Sequence, residues 1–296
     1  MKKLIFICFL LTSLSCFSYW NDQCSIFLNP YPNQAPYLVT TEEGTVFNPF
    51  AIREVRYALN NLVNRQYLCD WTSEFVTTLP TFFPSGYSQI YFGEGTAWQE
   101  AGFSFEGNET EAIQTITQAL NAVANLPQHS GRLEKQGDGF WYFDGEQVQI
   151  KVIVRDDYRE YIGNYIAAQL EKAGIGAFIQ MISSVEEALA IVYNSNPADF
   201  EWSAYTEGWG EVYPRLSYAS RGFVFRQMYA PAGGHMPGRN TEGFWNYTNA
   251  ELDKKANDLI NYRYFSDSEM KSLYLDVVKA GLYDSIRIFL LLFETN

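Results

Sequence analysis

Val55, Ala58, Leu59, Leu62 and Val63 recur every three or four positions and share one helical face, while Arg53, Glu54, Arg56, Asn60 and Asn64 lie mostly off it. This pattern predicts an amphipathic helix over residues 49–65. The same period returns after Asn108, where Ile113, Ile116, Leu120 and Val123 form a stripe. Asn108 with Glu111 makes a capping box there, and Pro127 ends the helix. Residues 147–155 alternate instead, with Val148, Ile150, Val152 and Val154 on one face, which predicts a strand. A helix over about 157–173 follows, burying Tyr161, Ile162, Tyr165, Ile166 and Leu170 and ending at Gly174. Residues 177–182 then read as a strand parallel to the first, joined by a right-handed crossover.

Further along, Ser184 with Glu187 caps a helix to about Asn194, and Phe200 to Thr206 is strand-like. Thr248 with Glu251 and Ser266 with Glu269 cap two later helices, and residues 286–293 form a last apolar strand. Residues 25–49, rich in Pro, Asn and Tyr, predict an extended opening stretch, and 79–107 a long irregular loop. No internal repeat is evident. The class is α/β or mixed α+β, with helices covering a sheet.

The first residues break this pattern. Lys2 and Lys3 precede the apolar run Leu4–Leu11, and Cys16 and Ser18 stand at small-residue positions before a cut after Ser18. Residues 1–18 therefore read as a signal peptide, with Cys16 as a lipid-modified first residue the alternative, and the expected location is periplasmic or cell-surface. Cys24 and Cys69 lie beyond this segment and are candidates to pair in an oxidising compartment. The chain has 296 residues, 47% of them hydrophobic and 17% aromatic, enough for a sizeable core with rings left over to line a ligand groove. The formal charge of -13 argues against a nucleic-acid partner, which calls for basic patches.

Catalytic and metal-binding motifs are not apparent. The two histidines, His129 and His235, have no partner at metal-ligand spacing, and neither a nucleophile elbow nor a phosphate loop follows a strand. Asp156 and Asp157 read as charge at a helix N-terminus. The most unusual stretch is Phe200–Pro214, which mixes carboxylates with Trp and Tyr and turns through Gly208 and Gly210. One reading makes it a core strand. The other makes it a strand leading into a loop that presents Tyr205, Glu207, Trp209, Glu211 and Tyr213 to a ligand, since rings beside a carboxylate suit an ammonium group or a stacked sugar. A glycosidase using Glu201, Glu207 and Glu211 is disfavoured. In a strand Glu201 and Glu207 would share a face about 20 Å apart, against about 5–10 Å for such carboxylate pairs.

Three segments resemble one known family. Residues 48–65, Asn-Pro-Phe-Ala-Ile-Arg-Glu-Val-Arg-Tyr-Ala-Leu-Asn-Asn-Leu-Val-Asn-Arg, are similar to its helix written NPF followed by VRxALN and a closing Arg. Residues 155–175 resemble its RxxxxxxxIGxxxAxxLEKxGI element, and Trp202–Trp209 its W-x-x-YTEGW run. The family is that of the extracellular solute-binding proteins, family 5, the oligopeptide- and dipeptide-binding components of ABC importers. The resemblance implies a periplasmic-binding-protein-like lobe of the type II, peptide-binding class, with a mixed sheet covered by helices. It implies a peptide ligand, or an oligosaccharide in some members, ABC permease subunits as partners, and no cofactor or enzymatic activity. Members often hold a peptide amino terminus with an acidic residue after the Trp of this run, commonly an Asp three residues on; here Glu211 stands two after Trp209. The matched helix normally follows a whole first lobe. The expectation is therefore a second lobe over residues 19–285, a strand from 286–296 returning toward the first lobe, and a separate chain that would supply that lobe; an inactive fragment is the alternative.

Overall fold

The computed structural model describes residues 21–72, 76–78, 81, 94–211, 226–229, 235–237 and 249–294. Residues 1–18, where a signal peptide is expected, with Cys8 and Cys16, and Tyr213 lie outside these residues. The chain runs through β1 (Asn21–Leu28), β2 (Leu38–Thr41), β3 (Gly44–Phe47), α1 (Arg53–Leu62), α2 (Arg65–Thr72), β4 (Val76–Thr78), α3 (Glu94–Glu100) and α4 (Glu109–Ala124). It continues with β5 (Leu133–Lys135), β6 (Trp141–Phe143), β7 (Glu146–Gln147), β8 (Gln149–Arg155), α5 (Arg159–Lys172) and β9 (Gly176–Ile182). Then come α6 (Val185–Ala188, prolonged by a π-helical turn over Leu189–Tyr193), β10 (Ala204–Glu211), α7 (Ala250–Ile260), α8 (Asp267–Asp284) and β11 (Arg287–Glu294).

Six strands form one mixed sheet in the order β4-β11-β1-β10-β8-β9. β8 is parallel to both β9 and β10, whereas β1 runs antiparallel to β10 and β11. Helices cover both faces. On one face Ile26, Leu28, Val152, Val154, Ala204 and Ile288 pack against α1, α4 and α5 through Leu59, Ile116, Ile162 and Ile166. On the other, Phe27, Ile153 and Tyr205 meet Val192, Tyr193, Trp202 and Met236, while Phe289 and Leu292 meet Tyr274, Val277 and Val278 of α8. Alternate residues of one strand enter opposite layers because successive side chains point to opposite faces. Each large aliphatic side chain so buried contributes about 1.5–3 kcal/mol.

Local signals account for most of the helices. The Asn108 side chain accepts from Glu111 N, Ser184 with Glu187 completes a capping box, and Ser266 accepts from Glu269 N. Gly174, at φ +83°, closes α5 with a Schellman motif: its N–H donates to Glu171 O and Ile175 N donates to Leu170 O.

Other expectations change. The opening stretch is not merely extended, because β1 is an inner strand and β2–β3 a hairpin. The predicted helix over 49–65 is a 3-10 turn, Pro49–Ala51, followed by α1, and the predicted loop 79–107 contains α3. α7 is capped by Asn249, which accepts from Leu252 N, rather than by Thr248, which lies outside the described residues. The strand expected over 200–206 begins later, at Ala204, and runs on to Glu211 through both glycines. The last strand is bonded to β1 and β4 within the same sheet, so the sheet continues past residue 285. Cys24 and Cys69 are free thiols rather than a pair; Cys24 is buried in the sheet, and Cys69 Sγ donates to Val76 O at 3.0 Å.

Candidate functional site

The parallel strands β8, β9 and β10 end on one edge of the sheet. β1 starts at that edge, with Asn21 opposite both Glu211 and Glu294, and β11 ends there. The helices α5 and α6 also begin there. Ligands of open α/β sheets sit outside the carboxyl ends of the strands, where loops and helix N-termini converge.

Charged side chains gather at this edge. The Asp157 carboxylate accepts from Arg159 N at 3.0 Å, from Arg159 Nε at 2.7 Å and also from Arg159 Nη2. Burial would raise the Asp157 carboxyl pKa, but the bonds from Arg159 outweigh it and hold the group below its ordinary range. Arg155, the last residue of β8, stands looser: its Nη2 is 3.9 Å from Asp157 Oδ2, and its buried Nε has no hydrogen-bond partner among the described residues. Tyr158 donates its hydroxyl to Asp22 Oδ2 at 2.5 Å, with its ring centroid 4.2 Å from that of Phe293. The guanidinium groups of Arg155 and Arg159 and the carboxylates of Asp22 and Asp157 are thus gathered at this edge.

Gly208 is the residue that lets this cluster close. A Cβ there would collide with the Arg159 guanidinium and lie 3.2 Å from Asp22 Oδ1. The glycine leaves the space over β10 that the Arg159 head occupies.

The predicted site residues separate into distinct environments. Tyr205 and Glu207 are buried within β10 and are not presented by a loop. Glu207 accepts from Ser25 Oγ at 2.9 Å, from Arg287 Nε at 2.7 Å, from Arg287 Nη2 at 3.0 Å and from the Tyr193 hydroxyl. Burial alone would raise its carboxyl pKa; the Arg287 charge and hydrogen bonds outweigh that and hold it below the ordinary value. Trp209 is half-buried, its ring centroid 4.6 Å from His235 and 6.4 Å from Tyr193. Glu211 ends β10 at the charged edge. Sequence reasoning missed Arg155, Arg159 and Asp22. The available signal was the Arg-Asp-Asp-Tyr-Arg run at a strand-to-helix junction, where α/β sheets place ligands. Among the described residues no group of three or more His, Cys, Asp and Glu side chains is placed to hold a metal ion.

No protein-family model matches the sequence, and no curated protein matches it. Solved structures do match in fold. NikZ from Campylobacter jejuni, solved in complex with Ni(L-His), superposes with a TM-score of 0.58 at 13% identity, over 95% of this chain and 49% of that one. The periplasmic oligopeptide-binding protein of an ABC transporter from Thermotoga maritima gives 0.63 at 16% identity over 92% and 44%, and another structure of it holds mannohexaose. A peptide-binding protein of a peptide ABC transporter gives 0.57 at 15% identity, over 92% of this chain and 99% of that chain. The chain thus spans about half the length of the first two. The latter two neighbours are binding proteins of ABC transporters, and the chain has the fold of the portion of all three that it covers: a mixed sheet with helices on both faces.

Proposed function

We propose that this chain is the solute-capturing part of an ABC importer's binding protein, and that it takes peptides at the carboxyl edge of β8, β9 and β10. The fold shared with peptide-binding proteins supports the class. The observation that carries the ligand is the edge itself. Arg155, whose guanidinium meets Tyr205 and lies 3.9 Å from Asp157 Oδ2 while its Nε has no hydrogen-bond partner among the described residues, offers a site for a carboxylate, with Asp22 and Asp157 in the same cluster. Such an edge favours a ligand with charged ends over a neutral sugar, because desolvated charges demand charged partners. Trp209 and Glu211 complete the ligand-facing edge, and Tyr205 and Glu207 act from behind it by fixing β10. The first lobe, on a separate chain, supplies the opposite wall, and export through the signal segment puts the protein outside the cytoplasm, beside its permease subunits.

The reading is binding without chemistry. A general acid needs a raised carboxyl pKa, whereas Glu207 is held low and saturated with donors.

Calorimetric titration with a tripeptide and with its C-terminal amide tests the proposal. The free acid should bind the protein more tightly than the amide, and Arg155→Ala should erase the difference. Equal binding of acid and amide by the unsubstituted protein, or tighter binding of an oligosaccharide, would overturn the peptide reading.

A further inference from the structure

β9 is bonded to β8 on one side and, among the described residues, to no strand on the other. Gly176 N donates to Val148 O, and Asp156 N donates to Ile182 O. Bonded and unbonded residues alternate along a parallel strand, so the even-numbered residues of β9 are those tied to β8. The N–H and C=O groups of Ala177, Ile179 and Met181 therefore point away from the sheet. Phe178 and Met181 are 56% and 42% exposed. This is an open, partly apolar edge, of the kind that an added strand completes.

Phe178 also lines a cleft of about 980 Å³ between the β2–β3 hairpin and the starts of β8 and β10. Among the described residues its other walls include Glu42, Glu43, Asp199 and Glu201, four carboxylates against the single cation Lys151. Among the described residues none of these five enters an ion pair. Phe200, at φ +56°, holds a conformation rare for a bulky residue and places its ring on the same cleft. The cleft opens at the starts of β8 and β10, the opposite end of the sheet from the Arg155 cluster.

We propose that the β9 edge and this cleft form a docking groove for an extended, lysine- or arginine-bearing segment of a partner protein. The segment hydrogen-bonds to the outward groups of Ala177 and Ile179 and lays basic side chains among Glu42, Glu43, Asp199 and Glu201. Its aliphatic stems rest on Phe178 and Phe200. Charge complementarity selects the occupant: the surplus of carboxylates, unpaired among the described residues, repels an acidic segment and attracts a basic one.

The test uses a fluorescently labelled hexapeptide alternating lysine and valine, acetylated and C-terminally amidated so that it offers no carboxylate to the Arg155 edge, followed by anisotropy. The protein should bind it with a salt-sensitive affinity. The double variant Glu42→Lys with Glu201→Lys should weaken it by about tenfold or more, since reversal turns attraction into repulsion. N-methylation of alternate peptide nitrogens should weaken it similarly by removing the donors that an edge needs. Arg155→Ala should leave it unchanged. Equal affinity in the charge-reversed protein would overturn the proposal, as would loss of binding in Arg155→Ala, which would put the probe at the far end of the sheet.

Discussion

Glu207 on β10 and Arg287 on β11 face each other across the intervening β1 in a two-pronged ion pair, Nε–Oε2 2.7 Å and Nη2–Oε1 3.0 Å. Both side chains are wholly buried. The Arg287 guanidinium lies 3.8 Å above the Phe27 ring and donates to the carbonyls of Met228 and His235. The pair therefore fastens residues 226–229 and 235–237 onto the sheet and sets His235 against Trp209.

Removing one partner strands the other charge in the interior. Arg287→Met should destabilise the fold by about 3–5 kcal/mol, read from urea denaturation. Glu207→Leu combined with Arg287→Met should cost less than the sum of the two single variants, because neither charge is then left alone. Strict additivity would show that the two side chains do not act as a pair.

The pair also sets a pH dependence. The Glu207 carboxyl is held below its ordinary value of 4.5 in the folded chain, so its stabilisation is complete above that value. It is lost as pH falls through the lowered folded value, where the unfolded state binds the proton first. Unfolding free energy should drop on acidification below 4.5, and Glu207→Gln should flatten that slope. A slope identical in the variant would assign the acid sensitivity to other carboxylates, Asp157 foremost.

Gly208→Ala tests the ligand edge without touching a charged group. The added methyl collides with the Arg159 guanidinium, which must leave its place beside Asp157. Because the clashing atom is the tip of a flexible side chain, the fold should lose little stability. Peptide affinity should nonetheless fall as Arg159 moves, while Ala introduced at Gly95, whose Cβ would meet nothing within 4 Å, should leave affinity alone. Unchanged affinity in Gly208→Ala would remove Arg159 from the ligand edge.

Trp209→Ala should weaken peptide binding by about 1–3 kcal/mol, the range for a truncated interface anchor. Its ring is half-buried against His235 and Tyr193, so some thermal stability should go as well. A large drop in melting temperature with peptide affinity intact would make Trp209 a packing residue only.

Much of this molecule was legible locally. The stripe from Val55 to Leu62, the alternation from Ile150 to Val154, the caps at Asn108, Ser184 and Ser266 and the turn at Gly174 each depend on residues a few positions apart. Periodicity and capping chemistry suffice to place such elements. The strand β1 was not legible, because an inner strand is buried on both faces: Gln23, Cys24, Ser25, Ile26 and Phe27 are all buried, so no apolar–polar alternation marks it. The site divides in the same way. Sequence pointed to the stretch around Trp209, since its mixture of rings, glycines and carboxylates is local. Which carboxylate stands at the strand ends and which is locked inside was decided by partners that lie 80 residues away in the case of Glu207 and Arg287, and by the meeting of Asp22 with Tyr158 across 136 residues. Those pairings depend on strand order, and strand order follows from how the whole chain buries its apolar faces rather than from any short run of residues.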